Sequence, residues 1–430
     1  MRVGVFHPGA QNSWQRALAA QEAGALAWYL SSVQVLSDGP AMQLARALPG
    51  ALGRGLAREL GRRCCPALDP ALLRRAGISE LVEIALRRLG RARAGAAVNR
   101  WGNAGFARHV IARAMAEPVD LLWTHNDSAL ESFRWANARG IRCVLDQSIG
   151  HPAALADVLA RDRARYPALY RNAPPLPDAR ALERADRELE RADMVLVGSP
   201  FARDTLTARG LRADKIRLLA YGSDETIWGA PRSRPPRAGR PLEVLFAGTV
   251  QPRKGVGALI EAFAEIDPRC ARLTLLGRLD VPRAALAPLA GRAVHRPPVP
   301  RREVARAMAR ADVLVLPSLF EGSAVVAYEA QAAGLALIQS AHTGLVVRPG
   351  VTGLLLPEVS AAAIRDAVRQ LADDPGRLAG MQAAAAATPP RRWADYRADA
   401  RALLGLGLGL GPGPGLGVPR PDPQRRDVAA

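Results

Sequence analysis

Short apolar runs alternate with segments of helical period along most of the chain. Runs that are apolar without alternation suit strands covered on both faces, and helices between such strands point to parallel sheets built from βαβ units. In the first half the pattern predicts strands at residues 2–6, 121–124, 142–146, 194–198 and 216–219. Helices are predicted at 128–139 and over the mixed-charge run 179–192, whose composition favours a helix. A second series predicts strands at 242–247, 273–276, 313–316, 336–339 and 353–356. Its helices are predicted at 256–266, 301–310, 325–333 and 360–372.

Between the two series lies GAPRSRPPRAGRP, in which Pro231, Pro235, Pro236 and Pro241 forbid a regular element. The expected organisation is therefore α/β, with two Rossmann-like domains facing a cleft. The first spans 1–228, a linker 229–241, and the second 242–390, followed by a C-terminal helix at 391–404. The glycine- and leucine-rich tail 405–430 is of low complexity and is expected to be disordered. Open α/β sheets bind ligands at the carboxyl ends of their strands, so the cleft is the expected site.

The length of 430 residues suits two domains of ordinary size, and 49% hydrophobic and 23% charged residues are those of a globular protein. The net charge of +19 favours contact with anions, whether phosphorylated small molecules, polyanions or lipid surfaces. Much of it falls between Arg46 and Arg113, where Arg54, Arg58, Arg62, Arg63, Arg74, Arg75, Arg87, Arg88, Arg91, Arg93, Arg100 and Arg108 face only four acids. A basic face for a membrane or an anionic acceptor and a set of solvated helix faces both fit this stretch. Cys64, Cys65, Cys143 and Cys270 have no zinc-like spacing and form no recognisable disulfide framework, which suits a reducing compartment. No signal peptide is visible, and the apolar stretch 23–36 is too short to span a bilayer. A cytoplasmic protein is expected, with any membrane contact peripheral and at the inner face.

Two segments carry chemistry. The first is Ala247-Gly248-Thr249-Val250-Gln251-Pro252-Arg253-Lys254-Gly255, between a predicted strand and helix. Gly248 permits a tight exit from the strand, and Gly255 a close approach at the helix start. Arg253 and Lys254 add two cations where backbone N–H groups already favour phosphate oxygens. Lys254 is one of only two lysines in an arginine-rich chain, the other being Lys215. An ordinary basic βα loop is the plainer reading of this segment alone. The second segment runs from Pro317 to Glu329, with Glu321 in the loop after a strand and Glu329 about one turn into the next helix. Gly322 frees the backbone there, and Ser323 and Ala324 are small. Two carboxylates so placed suit sugar hydroxyls, although either alone would pass for a surface glutamate.

Together these segments resemble glycosyltransferase family 4 (glycosyl transferases group 1), whose members are retaining GT-B enzymes. The resemblance includes the loop ending Arg253-Lys254-Gly255, the EGSAVVAYEAQAAG segment with its Glu-x7-Glu spacing, RADMVLVGSPFARDTL at 191–206, KIRLLAYGSD at 215–224 and GVTGLLLP at 350–357. It covers about 191 to 372, and 1–190 share only the βαβ rhythm. It implies that Arg253 and Lys254 hold the donor diphosphate, with Gly248 at the turn. Glu329 would take the ribose hydroxyls and Glu321 the transferred sugar near the reacting carbon. Backbone N–H groups of Gly322, Ser323, Ala324 and Val325 would contact sugar or phosphate. It further implies that His125, at the end of a first-domain strand, lines the cleft by the donor sugar, with His151 as a rival. The loop 7–13, with Gly9 as its flexible point, would meet acceptor or phosphate. Neither a metal nor another cofactor is expected, the nucleotide-diphosphate sugar being a co-substrate.

Thr249 stands where many relatives carry Arg, and Gly322-Ser323-Ala324 where Gly-Phe-Gly is frequent. The resemblance itself implies a hexosyltransferase acting in polysaccharide biosynthesis on a saccharide or lipid-linked acceptor. A non-catalytic nucleotide-sugar binder and a GT-B epimerase would share these motifs. A nucleic-acid-binding protein fits the charge, but aromatics make up 5% of the chain and no nucleic-acid motif is visible.

Overall fold

In a computed structural model, residues 1–9, 12–61, 63–77, 82, 86, 92–171, 173, 175–228, 239–344 and 346–406 are described. The first sheet contains β1 (Val3–Phe6), β2 (Leu26–Ser31), β3 (Leu73–Arg75), β4 (Leu121–His125), β5 (Arg142–Gln147), β6 (Met194–Val197) and β7 (Ile216–Leu218). Its helices are α1 (Trp14–Glu22), α2 (Pro40–Ala47), α3 (Gly50–Gly61), α4 (Ala92–Ala116), α5 (Leu130–Asn137), α6 (Pro152–Arg165), α7 (Ala179–Arg191) and α8 (Pro200–Thr207). All pairings are parallel, in the order β3-β2-β1-β4-β5-β6-β7. The order reverses between β1 and β4, so the crevice opens at the carboxyl ends of those two strands.

The second sheet repeats the arrangement with β8 (Leu242–Ala247), β9 (Ala271–Leu276), β10 (Ala293–Arg296), β11 (Val313–Leu316), β12 (Ala336–Ser340) and β13 (Gly353–Leu356). Helices α9 (Val256–Glu265), α10 (Arg301–Arg310), α11 (Val325–Ala332), α12 (Ala361–Asp373) and α13 (Pro375–Ala387) accompany it. The order β10-β9-β8-β11-β12-β13 places the reversal between β8 and β11. The central strands are buried on both faces, with Leu242, Phe246, Val313, Val315 and Ile338 at or below 1% exposure. That burial explains their unbroken apolar runs.

Three strands escaped the sequence pattern. β2 lies inside the stretch 23–36, whose length hid its limits. β3 (Leu-Arg-Arg) and β10 (Ala-Val-His-Arg) are sheet edges with no fully buried residue, so neither forms an apolar run. The predicted mixed-charge helix is present as α7, and one of its charges turns inward. Glu188 of α7 is 1% exposed and accepts hydrogen bonds from the N–H groups of Asp127, Ala129 and Leu130. It caps the start of α5 from a distant part of the chain.

The chain crosses between the two sheets twice. Helix α14 (Trp393–Leu404) leaves the second unit and buries Trp393, Tyr396, Ala400 and Leu404 against the first, in one cluster with Val3, Leu18 and Tyr29. Ser223 and Arg391–Trp393 exchange backbone hydrogen bonds at the crossing. A Cβ on Gly222 would lie 2.3 Å from the Arg392 carbonyl carbon, so only glycine fits there. The expected linker falls on 229–238, the tail on 407–430, and Arg62, Arg87, Arg88 and Arg91 of the basic stretch likewise lie outside the described residues.

Candidate active site

The two sheet reversals bring four strand ends to one cleft. In the second unit, β8 runs into Gly248, whose φ of 145° only glycine adopts easily, and then into a turn Pro252–Lys254. Gly255 follows with φ 68° at the start of α9, and a Cβ there would lie 1.8 Å from the Pro317 carbonyl oxygen. These glycines press the basic loop against the segment that follows β11. Leu319 N–H donates to Arg253 O at 2.9 Å, and the Arg253 guanidinium donates to Phe320 O at 2.7 Å.

Glu321 thereby comes between both cations. Its Oε2 lies 2.8 Å from Arg253 Nη1, and its Oε1 contacts Lys254 Nζ. Burial works against ionisation of this carboxyl, but the charges of Lys254 and Arg253 outweigh it and hold it below the usual range. Burial also pulls the Lys254 ammonium below the usual lysine range, against the attraction of Glu321 and with the repulsion of Arg253. The cluster holds two cations and one anion, a net positive charge in a desolvated position and a suitable receptor for phosphate oxygens.

Glu329 occupies α11, 2% exposed, in contact with Arg301. Burial pushes its carboxyl up to about 7, with Arg301 lowering it and Asp224 raising it. Arg301 carried no signal in the sequence, since one arginine of a basic helix looks like another. The Ser323 hydroxyl pairs with Tyr328 Oη at 2.9 Å. One expectation is corrected here. The Ala324 N–H donates to Thr343 O at 2.8 Å, because the turn Ala341–Thr343 folds back over the start of α11. It is therefore not available to a ligand.

In the first unit, β1 and β4 pair with Phe6 opposite Thr124. The residues that follow these two, His7 and His125, pack ring against ring, tilted by 39° with centroids 4.8 Å apart. Both are buried. Burial, reinforced by the Arg16 charge, pushes His7 down to about 3 and His125 well below the usual histidine value, so both rings are neutral. Past His125 the chain turns through Asp127 at φ 71°, a left-handed conformation costing a non-glycine residue about 1 kcal/mol. The Glu188 cap holds that turn in place.

Arg16 is fully buried and makes a further contact that the sequence concealed. Its Nε donates to Asp146 Oδ2 at 2.7 Å and its Nη1 to Asn12 O at 2.7 Å. The guanidinium lies 5.6 Å from the Tyr221 ring and 5.2 Å from the Tyr396 ring. Asp146 sits opposite His125 in the sheet register. Gly9 lies beside His7, and a Cβ on it would stand 3.4 Å from His7 Nε2. Its neighbours 10 and 11 lie outside the described residues.

His151, the rival to His125, has both ring nitrogens engaged. Nδ1 accepts from Ala153 N–H at the start of α6, and Nε2 meets Asp186 Oδ1 at 2.8 Å. It borders a 440 Å³ cavity between α7 and α8, lined by no residue of the Arg253 or Glu321 loops. The two units touch directly. Asn126 Oδ1 accepts from Ser148 N–H and Oγ–H at 3.1 and 2.8 Å, and a Cβ on Gly322 would lie 1.9 Å from Ser148 O. The chain of contacts His125–Asn126, Ser148, Gly322 thus joins the histidine loop to the loop of Glu321.

The pH dependence of Glu329 follows from its environment. Its carboxyl is raised in the folded state, so the fold binds more protons than the unfolded chain between about 4.5 and about 7, and its contribution to stability falls as pH rises through that window. A hydroxyl donor prefers the ionised form. Binding of a hydroxyl-bearing ligand that does not itself titrate in this range is expected to tighten from about pH 6 to about pH 8 and to release a proton. Calorimetry in buffers of different ionisation enthalpy measures that proton. Equal affinity and no proton release, in wild type as in Glu329→Gln, would remove Glu329 from the ligand.

Residues 241–374 match the family model described as Glycosyl transferases group 1. The D-inositol 3-phosphate glycosyltransferase of Arthrobacter sp. is 35% identical over 192 residues, which cover 40% of this chain and 45% of that protein. The chain spans about half the length of the curated relatives it matches. Among solved structures, Anabaena HepE in complex with UDP superposes with a TM-score of 0.60 at 13% identity, over 94% of this chain and 100% of that one. Sucrose-phosphate synthase from Thermosynechococcus elongatus gives 0.62 at 20% identity, over 94% and 98%. The fold is GT-B, two Rossmann-like domains facing a cleft.

Proposed function

We propose that the protein is a retaining glycosyltransferase that moves a sugar from a nucleotide-diphosphate donor to a saccharide or lipid-linked acceptor. The observation that carries the reading is the Arg253–Glu321–Lys254 cluster, set where β8 and β11 diverge and joined to the histidine loop through Gly322, Ser148 and Asn126. Support comes also from the group 1 match, which covers both donor loops. The curated relative acts, by its name, on an inositol phosphate, and the HepE structure holds UDP.

In this reading the diphosphate lies against Arg253 and Lys254, the ribose against Glu329 and the sugar near Glu321 and His125. The bond from the anomeric carbon to the diphosphate oxygen breaks as the acceptor oxygen bonds to that carbon from the same face. The acceptor proton passes to the departing diphosphate, and the two cations stabilise the charge that develops there. No carboxylate is assigned as a nucleophile, and a sugar trapped covalently on Glu321 would overturn this route.

A peripheral membrane contact fits the exposed face of α2 and α3. Leu44 and Leu56 are 62% and 38% exposed there, with Arg46, Arg54 and Arg58 beside them, whereas Arg63 and Arg74 are paired with Glu59 and Glu117. Apolar and cationic groups together suit an anionic lipid surface. No helix among the described residues is long and apolar enough to cross a membrane.

Melting curves with uridine, guanosine and adenosine diphosphates and their sugar conjugates test the donor assignment. A ligand at 100 times its dissociation constant adds about 2.7 kcal/mol, and one base series is expected to do so. No shift with any of them sinks the proposal.

A further inference from the structure

His7 and His125 differ from the other histidines in one respect. Both are buried, at 7% and 3% exposure, and none of their four ring nitrogens has a hydrogen-bond partner among the described residues. His151 is satisfied at both nitrogens, while His109 and His295 each meet a backbone carbonyl. An orphaned buried polar atom costs about 1–3 kcal/mol, so two adjacent rings carrying that cost call for a ligand. They carry it where β1 and β4 diverge, the point at which an open sheet receives ligands.

We infer that His7 is a second saccharide contact of this site, packed against His125 and hydrogen-bonded to hydroxyls of the donor sugar. The inference rests on the donor reading above. A neutral imidazole has one donor and one acceptor; a hydroxyl can engage both, whereas an anion engages the donor alone. Burial, reinforced by the nearby Arg16 charge, keeps both rings neutral, and that charge disfavours a cation. The donor sugar is the source because the loop after His125 reaches Gly322, the chain neighbour of Glu321, through Asn126 and Ser148. Gly9 leaves the space at His7 Nε2 that a larger residue would fill.

The test is calorimetric titration of wild type, His7→Phe and His7→Gln with UDP and UDP-glucose, GDP and GDP-mannose, and ADP and ADP-glucose. Phenylalanine keeps the ring and removes both nitrogens. In the base series that binds, His7→Phe is expected to lose about 5- to 10-fold in affinity for the nucleotide sugar while holding the nucleoside diphosphate within about 2-fold, and glutamine is expected to recover part of the loss. Unliganded His7→Phe is expected to melt at or above the wild-type temperature, since it leaves no orphaned nitrogen. A His7→Phe protein that binds the nucleotide sugar as wild type does overturns the inference. Equal weakening of both ligands overturns it too, because that pattern marks a structural role. Unchanged donor binding with slowed transfer moves the ring to the acceptor and overturns the donor-sugar assignment. Failure of every nucleotide to bind wild type is a different result, and it removes the donor reading with the inference.

Discussion

Lys254→Ala is expected to lower affinity for the nucleoside diphosphate by roughly 10- to 100-fold, the worth of one or more charge-assisted hydrogen bonds. The side chain is 15% exposed and its ammonium already stands in a desolvated cluster, so little solvent screening weakens its pull on a phosphate. Glu321→Gln makes the opposite change in the same cluster. Glu321 takes up both Arg253 and Lys254. Removing its charge frees both cations, so affinity for inorganic pyrophosphate and the nucleoside diphosphate is expected to rise severalfold while transfer is lost. Titration calorimetry reads both signs. A Lys254→Ala protein that binds like wild type would show that the loop is an ordinary basic turn, and weaker diphosphate binding by Glu321→Gln would show that the carboxylate does not compete for the cations.

Arg16→Met should destabilise the fold by about 3–5 kcal/mol, because it leaves Asp146 charged and buried without its partner. Arg16 is 1% exposed and Asp146 2%. Burial opposes the charge on Arg16, and Asp146, with Tyr396 and Tyr221, outweighs it and holds the guanidinium charged. The pair links α1, the end of β5 and α14, with the Tyr396 hydroxyl donating to Asp146 Oδ2 at 3.3 Å. Replacing both partners in Arg16→Met/Asp146→Leu is expected to recover most of the loss, since an apolar pair leaves no uncompensated charge. Urea denaturation measures the three proteins. A loss below about 1 kcal/mol for the single variant would mean that water reaches the pair and that α14 is held by its apolar face alone.

The fold class was legible because parallel strands buried on both faces must be apolar throughout, and βα loops that approach phosphate need glycine and cations at fixed offsets. Gly248, Gly255, Arg253, Lys254, Glu321 and Glu329 stand close enough in the chain for spacing alone to associate them in two segments. The edge strands β3 and β10 were not legible, since an edge covered on one side needs no apolar run.

What the sequence determined by itself was therefore local: the strand rhythm and the residues of the two loops. The meeting of distant residues was decided by tertiary structure. Arg16 and Asp146 are 130 residues apart, and Glu188 reaches Asp127 across 61. His7 and His125 are joined only because β1 and β4 lie side by side. Nothing in a run of residues marks an arginine or a glutamate as buried. Burial depends on what the folded sheets bring against it, and a charge accepts that position only beside a partner that the same folding supplies.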